Sequence, residues 1–545
     1  MMQGKRTRVQ LCDQRVPLRR GVSMKHVSFL ALLFAISCST VLSQNKAPEG
    51  FRDLQVDAGK VIGEIHSLQG LNGPPLPVMA GLPDLVDQYR DLRVDQVRTH
   101  DFMGPTDIDA RFDFRNGDLA WLIPDSDQRA GVVRAGNAAI IFPNPNADPE
   151  NPASYNFGPT DKVLAAIRVT GAEIYYRVGR SWGAHISPPT DFDKYANIVK
   201  HIAMHYNHGW ANGFHYQIRY WEFWNEPEGF WSGTPEQFYS LYEKTVLALK
   251  SLDPALKVGG DARAAPYDDG AWREGFLDYC AKNKVPLDFF SWHTYAHGSA
   301  DPYDAVRLAK DTRKALDEHG FPKAESILSE WNLTPDFTQL EAANLQGAHN
   351  AAYIGAVLSY FQDAPLDHAH FYRGDAAWMG LFDLNGDYYK IAYAFKAMGR
   401  MLDTPRRIAV NGTDTFGFAA LAGRSADDKT VQVFISNYAI PAGYKPKDMH
   451  KPAELQDPAA PSQWDAHKYK PLPARTDIVY RDNAGYCLTI SNLPWGKAAF
   501  TVKRYRISKT QRLELVEQKE GSGDTLMLSN AFPVDTVELL VLERK

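Results

Sequence analysis

Two short segments of the chain end on carboxylates in settings that suit acid–base chemistry. Residues 220–227 read YWEFWNEP, an apolar and aromatic run that leads to Glu226. Residues 327–332 read ILSEWN, a second apolar run that leads to Glu330. Each pattern predicts a buried strand that ends on a carboxylate. Two such carboxylates are the minimum equipment for cleaving a glycosidic bond by acid–base catalysis.

Glu226 is predicted to be the proton donor. It emerges from a buried strand, and burial raises the pKa of a carboxyl group because the charged form loses its hydration. Asn225 beside it can hydrogen-bond a sugar hydroxyl, and Pro227 ends the strand pairing because it has no backbone N–H. A glutamate at a strand end is usually half of an ion pair, but the tetrad Trp-Asn-Glu-Pro favours the catalytic interpretation.

Glu330 is predicted to be the nucleophile, which must stay ionised and therefore needs hydrogen-bond donors nearby. His293 and Tyr295 lie on one face of the apolar segment FFSWHTY, because side chains alternate along a strand. Histidine and tyrosine in a buried strand are more often core residues. Their place at the end of the strand that precedes Glu330 favours a role as donors.

The strands that position these residues belong to a regular alternation of strands and helices. Helical periodicity recurs between the apolar segments, and Thr190 and Thr234 are predicted helix caps. Eight strands are predicted between residues 60 and 400, at 61–66, 95–100, 173–178, 219–226, 257–261, 287–295, 326–331 and 368–373. This alternation predicts an α/β fold with a closed (β/α)8 TIM barrel. An open doubly wound sheet is the alternative.

A different pattern begins after the barrel. Short alternating runs separated by turn residues predict a C-terminal antiparallel β-sandwich, with which a strand at 51–60 can pair. The predicted domains are a catalytic barrel at 44–402 and an accessory β-sandwich at 403–545. Residues 101–158 form an oversized loop after the second barrel strand, which either shapes the substrate site or is a surface insertion.

Composition argues against several classes of protein. The 545 residues include 60 basic and 65 acidic side chains, and no basic stripe stands out in the body of the chain. Nucleic acid is therefore not an expected partner. No Cys/His cluster has zinc spacing and no glycine-rich nucleotide motif follows a strand, so neither a metal nor an organic cofactor is predicted.

The first 43 residues have the features of an export signal. From Met24, a charged start leads to an apolar run that is too short to span a bilayer, and small residues follow near Ser43. We therefore expect a true start at Met24, cleavage near Ser43, and a periplasmic or extracellular protein without stable membrane insertion. An uncleaved anchor and lipidation at Cys38 are the alternatives. Cleavage would leave two cysteines, too few for a disulfide framework.

The ordered set of motifs resembles glycoside hydrolase family 39, which includes β-xylosidases and α-L-iduronidases. WNEP at 224–227 resembles the acid–base motif of that family at the end of barrel strand four. SEWN at 329–332 resembles its nucleophile motif at the end of strand seven. The segments DFFSWHTY at 288–295 and RTH at 98–100 are similar to its strand-six and strand-two segments, and GLNGP at 70–74 is similar to the loop after its strand one.

The resemblance covers about residues 60–400 and implies that His100, His293 and Tyr295 line the sugar subsite. The chain departs from the family pattern at two places. The usual His-His-Tyr-Pro reads HTYA here, and the usual His-Gly of strand two reads His100-Asp101. Both departures lie at the predicted sugar subsite, so they bear on which sugar is bound.

Residues at other strand ends complete the predicted site. Trp182 after strand three, Tyr372 at the end of strand eight and Trp378 in the next loop are predicted to contact the substrate, with core positions as the alternative. Glu222, on the strand that carries the acid–base group, is predicted to form a core ion pair. Glu228 is predicted to be solvated.

These features predict an exported, retaining glycoside hydrolase that cleaves terminal bonds of oligo- or polysaccharides by double displacement. The resemblance favours a β-xyloside as the substrate. Another exo-acting enzyme of the family, α-L-iduronidase- or arabinosidase-like, is one alternative. A non-catalytic carbohydrate-binding protein on the same barrel is another, although the presence of both carboxylates argues against it.

Overall fold

A computed structural model describes most of the chain after residue 47. The described residues are 48–77, 82–109, 111, 126–181, 187–264, 270–295, 301–333, 345–376, 379–440, 475–480 and 483–545. The predicted signal segment, with Met24 and Cys38, lies outside them. Within these ranges no helix combines the length and the apolar character that a membrane span requires.

Eight parallel strands close into a barrel, which confirms the predicted fold and excludes the open sheet. After β1 (Phe51–Glu64), which belongs to a second sheet, the barrel strands are β2 (Gly70–Asn72), β3 (Gln96–Arg98), β4 (Glu173–Val178), β5 (Tyr220–Phe223), β6 (Lys257–Arg263), β7 (Phe289–Thr294), β8 (Glu325–Trp331) and β9 (His368–Phe371). The ring closes where β2 pairs with β9, with Leu71 opposite Phe371.

The first barrel strand differs from the prediction at 61–66. That segment overlaps the end of β1, where Val61 and Ile62 are 43% and 50% exposed. The barrel instead begins with Gly70–Asn72, three buried residues without an apolar run. A Cβ on Gly70 would lie 2.6 Å from the Ala369 carbonyl oxygen of β9, so this position requires glycine. A strand this short carries no periodicity that sequence reasoning can detect.

The described helices connect the barrel strands and cover the outside of the ring. They are α1 (Val86–Asp91), α2 (Ser126–Ala139), α3 (Gly158–Thr170), α4 (Phe192–His208), α5 (Pro227–Phe230), α6 (Pro235–Leu252), α7 (Glu274–Asn283), α8 (Asp304–Glu318), α9 (Ala348–Phe361) and α10 (Lys390–Met401). Thr234 caps α6 as predicted, in a capping box with Gln237. The cap of α4 is Asp191 rather than Thr190, because the Asp191 carboxylate accepts from Lys194 N.

The interior of the barrel changes from apolar to polar along the strand direction. Tyr175, Tyr220, Phe289 and Ile327 form one inward-facing layer, in which the Tyr175 ring lies 5.6 Å from the rings of Tyr220 and Phe289. The inward positions two residues further along the same strands are polar and fully buried, namely Arg177, Glu222, Ser291 and Ser329. Buried polar groups require partners, and this layer forms the floor of the site described below.

Nine strands form the second, mixed sheet. Its C-terminal strands are β10 (Arg406–Asn411), β11 (Phe418–Arg424), β12 (Thr430–Asn437), β13 (Gly485–Ser491), β14 (Ala499–Ile507), β15 (Arg512–Ser522), β16 (Leu526–Ala531) and β17 (Thr536–Arg544). The strand order is β15-β14-β17-β12-β11-β10-β1-β13-β16, antiparallel throughout except for the pair β1–β13. The predicted C-terminal strands are thus present in one continuous sheet, in which the N-terminal strand β1 is third from one edge.

The two faces of the second sheet have different partners. One face encloses a core of its own that includes Leu54, Val433 and Leu540. The other face packs on α9 and α10 of the barrel, where Ser436 Oγ donates to the Ala352 carbonyl oxygen at 2.6 Å. Alternation along each strand therefore supplies apolar residues to both sides. The second sheet braces the helices that follow β8 and β9.

Candidate active site

The two predicted catalytic carboxylates lie at the C-terminal ends of the fourth and seventh barrel strands. Glu226 follows β5 in a left-handed conformation (φ 45°), and its backbone N–H donates to the Ala262 carbonyl oxygen at 2.8 Å. Trp224 also has a positive φ, of 70°. Non-glycine residues in this region cost about 1–3 kcal/mol each and are held there only by surrounding structure. The backbone therefore fixes the direction in which Glu226 points.

A bulge in β8 directs Glu330 into the same space. Trp292 of β7 pairs with Leu328, but the next residue, His293, pairs with Glu330. Ser329 is the extra residue of β8 at this point, and a bulge of this kind re-aims the side chains that follow it. The Ser329 carbonyl oxygen accepts from Asn72 Nδ2 at 2.9 Å, which holds the bulge against β2.

The carboxylates of Glu226 and Glu330 and the imidazole of His293 meet in one cluster. One oxygen of each carboxylate and a ring nitrogen of His293 all lie within 4.8 Å of one another. His293 Nδ1 lies 2.9 Å from Glu226 Oε1 and 3.6 Å from Glu330 Oε2. Burial, with the nearby Arg98 and His370, lowers the pKa of His293 well below its ordinary value, so the imidazole is neutral. His293, expected as a donor to Glu330, therefore contacts Glu226 more closely.

Glu330 is surrounded by hydrogen-bond donors. Arg98 Nη1 donates to Glu330 Oε1 at 2.7 Å, and the Tyr295 hydroxyl donates to Oε2 at 2.5 Å. His100 Nε2 lies 3.5 Å from Oε1. Donors of this kind stabilise the ionised carboxylate that a nucleophile requires. Tyr295 and His100, both predicted to line the site, therefore lie beside Glu330.

Arg98 is the centre of this network, and sequence reasoning gave it no individual role. Its side chain is fully buried on the barrel floor. Nε donates to Glu222 Oε2 at 2.6 Å, Nη1 to Glu330 and to Asn72 Oδ1, and Nη2 to Asn225 Oδ1 at 2.7 Å. Glu222 thus forms a core ion pair, and Asn225 is oriented through its amide oxygen. The sequence signal that could have indicated this role was a charged residue, Arg98, within a strand that is otherwise buried.

The two carboxyl groups differ in what surrounds them. Burial, and then Glu330 and Glu228, raise the pKa of Glu226 well above its ordinary value, with Arg98 opposing. Burial also raises the pKa of Glu330, to about 7, against the opposing effect of Arg98 and the Tyr295 hydroxyl. Because Arg98 and Tyr295 donate directly to Glu330, a single proton shared by the pair resides on Glu226. The arrangement therefore presents one acid and one anion.

Glu228 is buried rather than solvated, which corrects the prediction. Its side chain is fully inaccessible, and Oε1 lies 3.7 Å from Arg263 Nε of β6. The cause is the short helix α5, which turns the chain back over the barrel immediately after Glu226. Burial beside Glu226 makes this carboxylate part of the electrostatic setting of the acid.

The end of β9 closes another side of the site. Tyr372 follows β9, and its ring lies 6.2 Å from that of Tyr295. The Tyr372 hydroxyl donates to Asp101 Oδ2 at 2.7 Å. Tyr372 therefore lies beside the cluster, as expected for a substrate contact. Trp182 and Trp378, the other predicted contacts, lie outside the described residues.

The cluster of Glu226, His293 and Glu330 also has the donor atoms that a metal ion would need. Both oxygens of Glu330 already accept hydrogen bonds, and one of these comes from the permanently charged guanidinium of Arg98. A second cation next to that guanidinium would be repelled. The donor set therefore fits proton transfer and nucleophilic attack better than metal coordination.

A closed parallel barrel with a carboxylate at the end of its fourth strand and another at the end of its seventh defines the class of barrel glycoside hydrolases. Residues 171–371 match the family model for glycosyl hydrolases family 39. The chain belongs to glycoside hydrolase family 39.

Three similar proteins illustrate this relationship. The solved structure of a glucosidase from Croceicoccus marinus is 35% identical, covers 91% of this chain and 99% of its own, and superposes with a TM-score of 0.76. A β-xylosidase from Geobacillus stearothermophilus is 30% identical over 223 residues, which are 37% of this chain and 41% of that protein. A β-xylosidase from Caldicellulosiruptor saccharolyticus is 32% identical over 167 residues, 28% of this chain and 32% of that protein. The chain thus matches less than half the length of either β-xylosidase.

Replacement of Arg98 by methionine is expected to lower the free energy of unfolding by about 3–5 kcal/mol, because it leaves two buried carboxylates without their cation. Denaturant unfolding measures this change. Arg219→Met is the matched control, since Arg219 forms an exposed ion pair with Glu173 that is worth about 0–1 kcal/mol. Equal losses for the two variants would contradict the role assigned to Arg98.

Proposed function

We propose that this chain is a retaining glycoside hydrolase. The observation that carries the proposal is the carboxylate pair, with one oxygen of each group within 4.8 Å of the other. Retaining enzymes hold their carboxyl groups about 5–5.5 Å apart, whereas inverting enzymes leave roughly 6.5–9.5 Å for a water molecule. The burial that raises the pKa of Glu226 and the two donors that stabilise ionised Glu330 support the same mechanism.

The proposed reaction has two steps. Glu330 attacks the anomeric carbon while Glu226 gives its proton to the departing glycosidic oxygen, so the carbon–oxygen bond breaks as the glycosyl–enzyme bond forms. Glu226, now ionised, takes a proton from water, and the resulting nucleophile displaces Glu330 from the anomeric carbon. Both carboxyl groups return to their starting states. His293, beside Glu226, fixes the position of the carboxyl group that shuttles the proton.

We propose terminal β-xylosides as the substrate, as in the two β-xylosidases to which the chain is similar. A glucoside is the second candidate, because the glucosidase from Croceicoccus marinus is similar over nearly the whole chain. A panel of 4-nitrophenyl glycosides of xylose, glucose, arabinose, galactose and uronic acids tests both. Turnover of none of these glycosides, with sugar binding retained, would instead indicate a non-catalytic carbohydrate-binding protein.

A further inference from the structure

A further carboxylate, that of Asp101, lies one imidazole away from Glu330. Asp101 follows β3 and His100 in a left-handed conformation (φ 58°). Its Oδ1 lies 3.3 Å from His100 Nε2, and the same nitrogen lies 3.5 Å from Glu330 Oε1. The side chains of Asp101 and Glu330 are each 4% exposed. The two carboxylates are therefore buried to the same extent.

Two side chains from the end of β9 hold the Asp101 carboxylate in place. The Tyr372 hydroxyl donates to Asp101 Oδ2 at 2.7 Å. Arg373 Nη1 lies 3.9 Å from the same oxygen, and Arg373 Nη2 donates to the Asp101 carbonyl oxygen at 3.5 Å. Asp101 is thus fixed relative to Tyr372, which also contacts Tyr295 of the site. A fixed carboxylate in this position discriminates between ligands by charge.

Among the described residues, the arginines around this floor are already engaged by carboxylates. Arg373 donates to both oxygens of Asp375, at 2.7 and 2.5 Å. Arg98 is shared between two glutamates, and Arg177 donates to Asp107 at 3.0 Å. A carboxylate carried by a bound sugar would therefore meet acidic groups and guanidinium groups whose charge is already compensated. Hydroxyl groups, in contrast, can donate to a carboxylate without any such conflict.

We infer that Asp101 is a specificity-determining residue that restricts the sugar bound next to Glu330 to uncharged glycosides and excludes uronic acids. The inference rests on the proposed glycosidase function and names its substrate class. Asp101 accepts hydrogen bonds from hydroxyls of a neutral sugar. It repels the carboxylate of a uronic acid, and repulsion at short range inside a protein is strong because the local dielectric constant is low. Specificity then depends on a repulsive element as well as on attractive contacts.

The test compares 4-nitrophenyl β-D-glucoside with 4-nitrophenyl β-D-glucuronide, which differ only in a hydroxymethyl group against a carboxylate. For the unaltered protein we expect kcat/KM for the glucoside to exceed that for the glucuronide by about a hundredfold or more. Asp101→Asn keeps the shape of the side chain and removes its charge. It is expected to narrow this ratio by about tenfold. Asp403→Asn is the matched control, because Asp403 forms an exposed ion pair with Arg93 at the opposite end of the barrel.

Several outcomes overturn the inference. If the unaltered protein hydrolyses the glucuronide as efficiently as the glucoside, the inference about Asp101 is wrong. The glycosidase function would still stand. An unchanged ratio in Asp101→Asn would show that another group excludes the uronic acid.

The affinities of the unaltered protein for glucose and glucuronate can be measured by calorimetry. This measurement depends neither on turnover nor on whether a variant folds. We expect glucuronate to bind at least about tenfold more weakly, and equal affinities would overturn the inference. If no glycoside is hydrolysed but this difference in affinity is found, the glycosidase function fails and the charge selectivity stands.

Discussion

Replacement of Glu330 by alanine is expected to lower kcat on every aryl glycoside by roughly 10⁴-fold or more, because it removes the carboxylate that we propose forms the glycosyl–enzyme bond. Azide added to the Glu330→Ala variant can occupy the space that the side chain leaves. It would attack the anomeric carbon from that side while Glu226 still protonates the departing oxygen. The product is then a glycosyl azide of inverted anomeric configuration, which proton NMR of the anomeric centre identifies.

Glu325→Ala is the matched control for this experiment. Glu325 begins the same strand, at the opposite end of the barrel, where its carboxylate contacts Lys257. This variant is expected to keep its activity. An azide product of retained configuration, or a Glu330→Ala variant with near-normal kcat, would contradict the assignment of Glu330 as the nucleophile.

Replacement of Glu226 by glutamine is expected to slow the hydrolysis of glycosides with poor leaving groups by about 10²–10⁴-fold, the usual contribution of a general acid. 2,4-Dinitrophenolate leaves without being protonated, so the first step on a 2,4-dinitrophenyl glycoside does not need the acid. A burst of released dinitrophenolate is therefore expected to persist in this variant. The hydrolysis of the glycosyl–enzyme is then slow, because Glu226 is no longer available to take a proton from water. Azide is expected to accelerate that second step and to give a product of retained configuration, opposite to the outcome for Glu330→Ala.

The pH profile gives an independent check on Glu226. Only the protonated form of Glu226 can donate, and burial with nearby carboxylates raises its pKa. Activity of the unaltered protein is therefore present below this raised pKa and is lost as the pH rises through it. Glu330 must be ionised, so activity is also lost as the pH falls through the pKa of Glu330. The Glu226→Gln variant is expected not to lose its residual activity as the pH rises. If that loss of activity at high pH persists in the variant, it must be assigned to another group.

The barrel was predictable because most of its strands are buried on both faces and read as apolar runs between periodic helices. The first strand was not, since Gly70–Asn72 is short and is fixed by its contacts with β9 rather than by its own composition. The first barrel strand was instead predicted at 61–66, because those residues are more apolar. Where a strand is fixed by the close approach of a neighbouring backbone, the sequence signal is a glycine rather than an apolar pattern.

The meeting of Glu226 and Glu330 in one cluster could be predicted from their motifs, but the network around them could not. Arg98 and Glu330 are 232 residues apart, and their contact exists only because the barrel brings β3 and β8 across its interior. Glu228 was predicted to be solvated, but it is fully buried. Its burial depends on where α5 folds, which is a property of the tertiary structure.

The position of β1 in the second sheet has a consequence for the order in which the protein is completed. β1 emerges from the ribosome before any part of the barrel, yet its parallel partner β13 follows the whole barrel in the chain. Asn492 Nδ2 donates to Asp57 Oδ1 across a separation of 435 residues. Contacts between such distant residues form late because a very long loop must close first. β1 therefore lacks this partner throughout the synthesis of the barrel, and their pairing joins the first described strand to one that follows the whole barrel in the chain.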